Sequence, residues 1–332
     1  MASGWETTVF EFSVADAGAR LPENAVGTPL VLRLYQGRLA DEKAAREAAA
    51  IRMLAATAYP VPRPYLFEPD HQALGAPFLV MERVAGGPLF STGSFARAFK
   101  TFSLGFIDFV RQQAALHRLR LPAAGASAGL TSARGGASAG GGLLTRILDL
   151  IERRIAQGPL PGLREAFARL REQAGRFQTA PDAIVHLDYH PQNVIVRNFR
   201  VTGVIDWVAA DYGDRHLCAA TTSVILATSA MEHPRWMRDN AAGNFLRRVF
   251  RTLYLPLYHA LAPVDLPRIR YCQGVAALAR LAMFGLMQTQ GAEAAGFRRD
   301  AIAHVTPDVV RLLSRYASRR IGVPTCLAEE RK

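Results

Sequence analysis

Apolar and polar residues alternate from Val9 to Val14, which predicts a strand there. Leu30 to Tyr35, LVLRLY, reads as a second strand with one charge, Arg33, inside it. From Asp41 to Ala55 the period changes. Ala44, Ala48, Ile51 and Leu54 share one face at helical spacing and predict a helix. The YPVPRP run from Tyr59 is expected to be an extended connection, because proline bars helix there. Phe78 to Met81 forms a third strand, and Ala85-Gly86-Gly87-Pro88 is expected to end it as a flexible joint.

Beyond the joint the pattern turns helical. Phe102, Phe106, Phe109 and Leu116 mark one stripe. Residues 123–142, AAGASAGLTSARGGASAGGG, carry almost no large side chain and cannot offset their ordering entropy, so a disordered surface insertion is expected. Helices resume at Leu144–Gln157 and Gly162–Gln173 and predominate again from Ala219. Between them lies IVHLDYHPQNVIVRNFRVTGVIDW, Ile184 to Trp207. It reads as two short strands, Val194–Val196 and Val201–Ile205, paired through a turn near Asn198. The expected fold class is α+β: a small β-rich N-terminal lobe, residues 1–84, and a larger, mainly helical C-terminal lobe, residues 85–332.

Composition narrows the function classes. Half of the 332 residues are hydrophobic and 20% are charged, enough for a sizeable core. The three cysteines, Cys218, Cys272 and Cys326, form no CxxC pair, which argues against a disulfide framework or a zinc site and fits reduced thiols in the cytoplasm. MASGWETTVF lacks a signal peptide's basic start and apolar run, and Gly274–Met287 is too short and too interrupted, by Arg280, to span a bilayer. A soluble, cytoplasmic protein without a membrane partner is expected. The net charge of +12 raises nucleic-acid binding. The arginines are scattered, however, with no basic run and no interleaved aromatics, so no nucleic-acid partner is expected.

Candidate chemistry concentrates in Ile184–Trp207. The hairpin brings Asn193 and Asp206 to one end, with Asp188 in the preceding loop. Singly, Asp188 and Asn193 are ordinary turn residues, and His186 is an ordinary buried brace. Together, two carboxylates and an amide oxygen suit a hard cation such as Mg2+, and one acid is left to orient a hydroxyl. Phosphoryl transfer needs those parts. The run His186-Leu187-Asp188-Tyr189-His190-Pro191-Gln192-Asn193, followed by Ile205-Asp206-Trp207, resembles the catalytic loop and metal-binding aspartate of kinases. It is most similar to the aminoglycoside phosphotransferase and choline kinase family, which shows H-x-D-x-H-P-x-N and then I-D-W or I-D-F.

That resemblance implies a bilobal, protein kinase-like fold with ATP between the lobes. Arg33 would contact phosphate, positioned by Glu47, with Glu42 the lesser candidate. Backbone groups around Glu82 and Val84 would hold the adenine edge, with Met81 lining the pocket. Asn193 and Asp206 would hold Mg2+, and Asp188 would be catalytic, orienting the acceptor hydroxyl and taking its proton. Leu116-His117 is similar to a structural pair of the family. Three departures stand out. The family's first strand would lie before Met1, leaving a bare sheet edge. Val208 follows Trp207 where the family often has Glu. In Asp214-Arg215-His216-Leu217-Cys218-Ala219, Cys218 replaces an acid expected to brace the catalytic loop, which a thiol does poorly. The implied activity is an ATP- and Mg2+-dependent phosphotransferase acting on a small-molecule hydroxyl. The departures motivate one alternative, a catalytically impaired nucleotide-binding pseudokinase with a regulatory role. From Arg215 to Lys332 there are 17 Arg or Lys against 8 Asp or Glu, so a neutral or anionic acceptor is expected rather than a polycation.

Overall fold

A computed structural model describes residues 2–3, 7–18, 20–89, 95–119, 142–178, 181–228 and 241–327. Its N-terminal sheet has strand order β1-β2-β3-β5-β4, antiparallel throughout: β1 Ala2–Ser3, β2 Thr7–Phe12, β3 Leu30–Tyr35, β4 Pro64–Glu68 and β5 Phe78–Glu82. A two-residue strand, β1, precedes β2 within the chain, where none was expected: Ala2 pairs with Val9 and Ser3 with Thr8. The strand expected at Val9–Val14 runs from Thr7 to Phe12, and Val14 makes only an isolated bridge to Val26. β4 was not visible in the YPVPRP run. Pro64 opens it, and β4 is an edge strand, where a missing N–H costs no ladder bond. Helix α1, Ala40–Ala55, packs Ala44, Ala48, Ile51 and Leu54 into the core.

The C-terminal part begins at β6, Gly87–Pro88, which pairs with β8, Val194–Arg197. The expected flexible joint is thus held in place. Gly86 has φ +128°, a Cβ there would collide with the Val196 carbonyl oxygen, and Thr202 Oγ1 donates to Ala85 O at 2.7 Å. Glycine is needed here for close approach, not for freedom. Helix α2, Phe95–Leu116, buries Phe106, Phe109 and Leu116. The expected disordered insertion falls outside the described residues except for Gly142, which precedes α3, Leu143–Gln157. A 3-10 turn at Pro161–Leu163 leads into α4, Arg164–Gln173. The hairpin forms as read: β8 pairs with β9, Arg200–Val204, and Asn198 and Phe199 both have positive φ, the two-residue turn that matches strand twist. β7, Ala183–Val185, pairs with a strand too short to register in the sequence, β10, Asp211–Gly213. Helices α5, Arg215–Thr228, α6, Ala241–Leu261, α7, Leu266–Gln290, and α8, Pro307–Ile321, complete the described chain. No described helix is long and apolar enough to cross a membrane.

One apolar core runs through both parts. Ile51, Leu54, Leu79 and Met81 cluster with Val194, Val204 and Trp207 of the acid-bearing element. Val204 N–H donates to Pro60 O at 2.8 Å, which docks the extended connection on β9. The small sheet therefore has a fixed seat on the element carrying Asp188, Asn193 and Asp206.

Candidate active site

The strand arginine and helix glutamate meet. In β3, Arg33 is 6% exposed, and its NH1 lies 3.1 Å from Oε1 of Glu47, which is fully buried in α1. The same carboxylate accepts from the Tyr35 hydroxyl and, at 3.0 Å, from Trp207 N–H. Burial pushes the Glu47 carboxyl up, and Arg33, Tyr35 and the Trp207 amide pull against it. Burial would lower Arg33, but Asp206 and Glu47 outweigh it and keep the guanidinium cationic. Glu42 instead pairs with Arg46, whose NH1 also donates to Val208 O at 2.9 Å. Arg46 had no role in the sequence reading, yet its backbone bond holds the departure at position 208.

The second partner of Arg33 is Asp206. Its Oδ1 lies 2.9 Å from Arg33 NH2, and its side chain is 33% exposed. Asp206 follows β9 in the left-handed region, φ +67°. The hairpin brings Asn193 to the same end, and Ile205 N–H donates to Asn193 O at 2.9 Å. Asn193 Nδ2 donates to Asp188 O at 2.9 Å and to Asp188 Oδ2 at 3.2 Å, which turns the amide toward the loop acid.

Asp188 itself is 36% exposed. Burial would raise its carboxyl. His190, by charge and hydrogen bond, together with Arg280 and His186, outweighs burial and holds it well below the usual carboxylate range. His190 Nε2 lies 3.4 Å from Asp188 Oδ2, while its Nδ1 accepts from Gln192 N–H. Sequence reasoning quoted His190 in the motif and gave it no role; the signal was its position two residues after the acid. His186 is the expected brace. Its Nδ1 accepts from Asp188 N–H at 3.3 Å, so Nε2 carries the proton toward Ile205 O at 2.9 Å. Burial lowers its pKa. The ring also packs on Trp207, centroids 4.5 Å apart.

Cys218 stands where a bracing acid was expected. Its sulfur is buried, and Gln113 Nε2 donates to it at 3.6 Å. α5 is tied to the catalytic loop one turn further on, where Thr222 Oγ1 donates to Tyr189 O at 2.9 Å.

Between the lobes, Met81 is buried at the end of β5. The Glu82 N–H is committed to Arg63 O at 2.8 Å and cannot donate to a base, whereas Val84 N–H has no hydrogen-bond partner among the described residues. Val84 lies over the hairpin, and a Cβ on Gly203 would come within 2.7 Å of it.

The donor set fits magnesium. Among the described residues no cluster of three His, Cys, Asp or Glu could hold a metal on protein groups alone. Mg2+ does not require one: it takes one or two protein oxygens and fills its octahedron with water and phosphate. Asp206 and the Asn193 amide oxygen supply such a pair, and Arg33 Nε remains buried without a partner beside them.

The model of the phosphotransferase enzyme family matches residues 1–263. Among solved structures the chain is similar to a candidate aminoglycoside phosphotransferase of Ralstonia eutropha JMP134, with 17% identity over 96% of this chain and 94% of that one, TM-score 0.56. It is also similar to Plasmodium vivax ethanolamine kinase, with 13% identity over 95% and 79%, TM-score 0.58. An aminoglycoside-3'-phosphotransferase of type VIII matches at 20% identity over 84% and 94%, TM-score 0.51. At these identities the likeness is one of fold, a protein kinase-like α+β fold. No curated protein matches the sequence.

Proposed function

The chain belongs to the phosphotransferase enzyme family, and from that premise we propose that it is an ATP- and Mg2+-dependent kinase for a hydroxyl group on a small molecule. The observation that carries this reading is the meeting of three distant segments. Arg33 of β3 reaches Asp206 at 2.9 Å, and Asn193, at the same hairpin end, faces Asp188 at 3.2 Å.

In this reading residues 1–84 form the nucleotide-binding lobe and residues 85–332 the catalytic and acceptor-binding lobe. Val84 N–H and the carbonyl side of Glu82 hold the adenine edge, with Met81 behind. Arg33, positioned by Glu47, neutralises phosphate charge. Asp206 and Asn193 would hold Mg2+, which when bound would supply positive charge against the phosphates. Asp188 accepts the hydrogen bond of the acceptor hydroxyl and takes its proton as that oxygen bonds to the γ-phosphorus of ATP and the bond from that phosphorus to the departing ADP breaks. A carboxylate held this far down is a weak base. That suits a loose transition state, in which positioning and charge neutralisation dominate and proton transfer comes late. The bond from Arg46 to the Val208 carbonyl and that from Thr222 to Tyr189 O support an active enzyme over an impaired nucleotide-binding protein. The three free thiols, two of them buried, fit a cytoplasmic setting.

The test is thermal unfolding with ATP, with and without Mg2+, on the native chain and on Asp206→Asn. A ligand that binds only the folded state raises the midpoint. A Mg2+-dependent rise lost in Asp206→Asn is expected. A native chain whose midpoint ignores ATP under both conditions would sink the reading.

A further inference from the structure

Away from the residues just described, α5, α6, α7 and α8 enclose a cleft of about 370 Å³. That lies within the roughly 300–1,000 Å³ range of small-molecule sites. Its charge is one-sided. Arg251 comes from α6 and Arg319 and Arg320 from the last turn of α8, and no acidic residue among the described residues lines the cleft. None of the three arginines has a carboxylate partner among the described residues. Arg319 Nε donates to its own helix at Arg315 O, 3.3 Å, and Arg320 lies over the Tyr316 ring, 5.2 Å from its centroid. The guanidinium end nitrogens are left for something else.

The floor is polar and buried. Gln273 is 2% exposed and Ser223 4% exposed, and Gln273 Nε2 donates to Ser223 Oγ at 2.8 Å. Ser223 in turn donates to Ala220 O at 2.8 Å, so the arrangement is fixed before any ligand arrives. Three exposed guanidiniums without carboxylate partners among the described residues, set around one concavity, repel one another and focus positive potential into it. Their planar forks match phosphate or carboxylate oxygens two at a time. A buried hydrogen-bonded floor under exposed arginines with no carboxylate to neutralise them is the build of an anion site, whereas a merely solvated basic surface needs no cavity.

We propose that the α5–α8 cleft binds a small polyanion, a phosphorylated or polycarboxylated molecule, through Arg251, Arg319 and Arg320. None of the candidate catalytic residues lines it. The cleft is nevertheless coupled to the catalytic loop through one turn of α5. Ser223 forms the floor, and its neighbour Thr222 donates to Tyr189 O at 2.9 Å, one residue from Asp188. Two sources share this chemistry: the anionic tail of the acceptor itself, or a separate anionic ligand.

The experiment titrates inorganic pyrophosphate into the native chain, Arg251→Gln, Arg319→Gln/Arg320→Gln and Arg33→Met by calorimetry, without Mg2+ and at two salt concentrations. Each lost charge-assisted bond should weaken binding by about tenfold or more. Both cleft variants are expected to lose affinity, lysine replacements to restore part of it, and added salt to weaken the native chain. Arg33→Met, whose change lies in the proposed nucleotide site, should lose only the binding that belongs to that site and keep a binding event that both cleft variants lack. The proposal therefore survives even if the nucleotide reading fails. Native-like binding by the arginine variants overturns it, as does a loss confined to Arg33→Met, which would place the anion in the nucleotide site. Glucose 6-phosphate then separates the sources. A new phosphorus resonance with ATP that needs the cleft arginines marks an acceptor tail. Cleft-dependent binding without consumption marks a separate ligand.

Discussion

Replacing Glu47 by Gln tests the network that joins the two lobes. The Glu47 carboxylate, fully buried, faces Arg33 at 3.1 Å and accepts from Trp207 N–H at 3.0 Å and from the Tyr35 hydroxyl. Gln keeps the shape and one acceptor oxygen. It removes the charge opposite Arg33 and turns the other acceptor into a donor aimed at a hydroxyl. Breaking a buried ion pair from one side costs about 3–5 kcal/mol, because a buried charge is stranded. Arg33 retains Asp206 at 2.9 Å, so the low end applies, about 3 kcal/mol. At about 1.5–2 °C per kcal/mol for a chain of this length, the midpoint should fall by roughly 4–6 °C. The decisive form is a double-mutant cycle with Arg33→Met in urea unfolding. Once the cation is gone, losing the anion costs less, so the two changes should couple by about 2 kcal/mol. Additivity within about 0.5 kcal/mol would refute the ion pair as the bond that seats α1 on the acid-bearing element.

Three further outcomes follow from the same geometry. Asp188→Asn should lower turnover by about 10²–10⁴-fold while keeping the ATP-induced rise in the unfolding midpoint; because the ionised form is present above a depressed pKa, activity should persist as pH falls, and an acid limb near pH 5–6 in the rate profile would contradict the assigned environment. His117 is buried, bonded through Nδ1 to Tyr258 Oη at 2.5 Å, and lowered by burial from 6.5 to about 3. The unfolded chain then binds the extra proton, so stability is whole above 6.5 and falls toward pH 3 by up to about 1.4 kcal/mol per pH unit, and His117→Gln should flatten that slope in urea midpoints. Gly86→Ala should cost more stability than Gly18→Ala, because both positions have positive φ but only Gly86 abuts backbone, and equal losses would show that the β6–β8 crossing is loose.

Much of the site was legible because its parts are local. The H-x-D-x-H-P-x-N run and the hairpin after it fix Asp188, Asn193 and Asp206 within one supersecondary unit, and a single charge inside LVLRLY singled out Arg33. Hydrophobic periodicity placed α1 to within a residue for the same reason. What stayed hidden depends on partners distant in sequence. β4 and β10 are short, polar or proline-led, and exist because β5 and β7 offer edges to pair with. The Gly86-Gly87 stretch resembles a free joint until β8 is laid against it. Arg46 reads as a surface residue of α1 until Val208 O arrives from a segment 162 positions away. The commitment of the Glu82 N–H to Arg63, likewise, belongs to sheet order and not to the hinge sequence.

The departures at Cys218 and Val208 change the strength of the bracing more than its layout. Leu187 at φ +59° and Asp206 at φ +67° hold a left-handed backbone that side chains other than glycine adopt at a cost of about 1–3 kcal/mol each. Such conformations persist only where the surroundings over-determine them. Leu187 lies beside the buried Cys218 sulfur, and the next amide, that of Asp188, is held by His186. Asp206 is flanked by the Ile205 carbonyl bonded to His186 and the Trp207 amide bonded to Glu47, while its own carboxylate is held by Arg33. His186 thus spans both strained points, and Glu47 ties the second to the small lobe. A thiol in place of an acid weakens one of these restraints. The remainder, drawn from β3, α1 and the hairpin itself, still fix the two carboxylates where a phosphoryl group and a hydroxyl would have to meet.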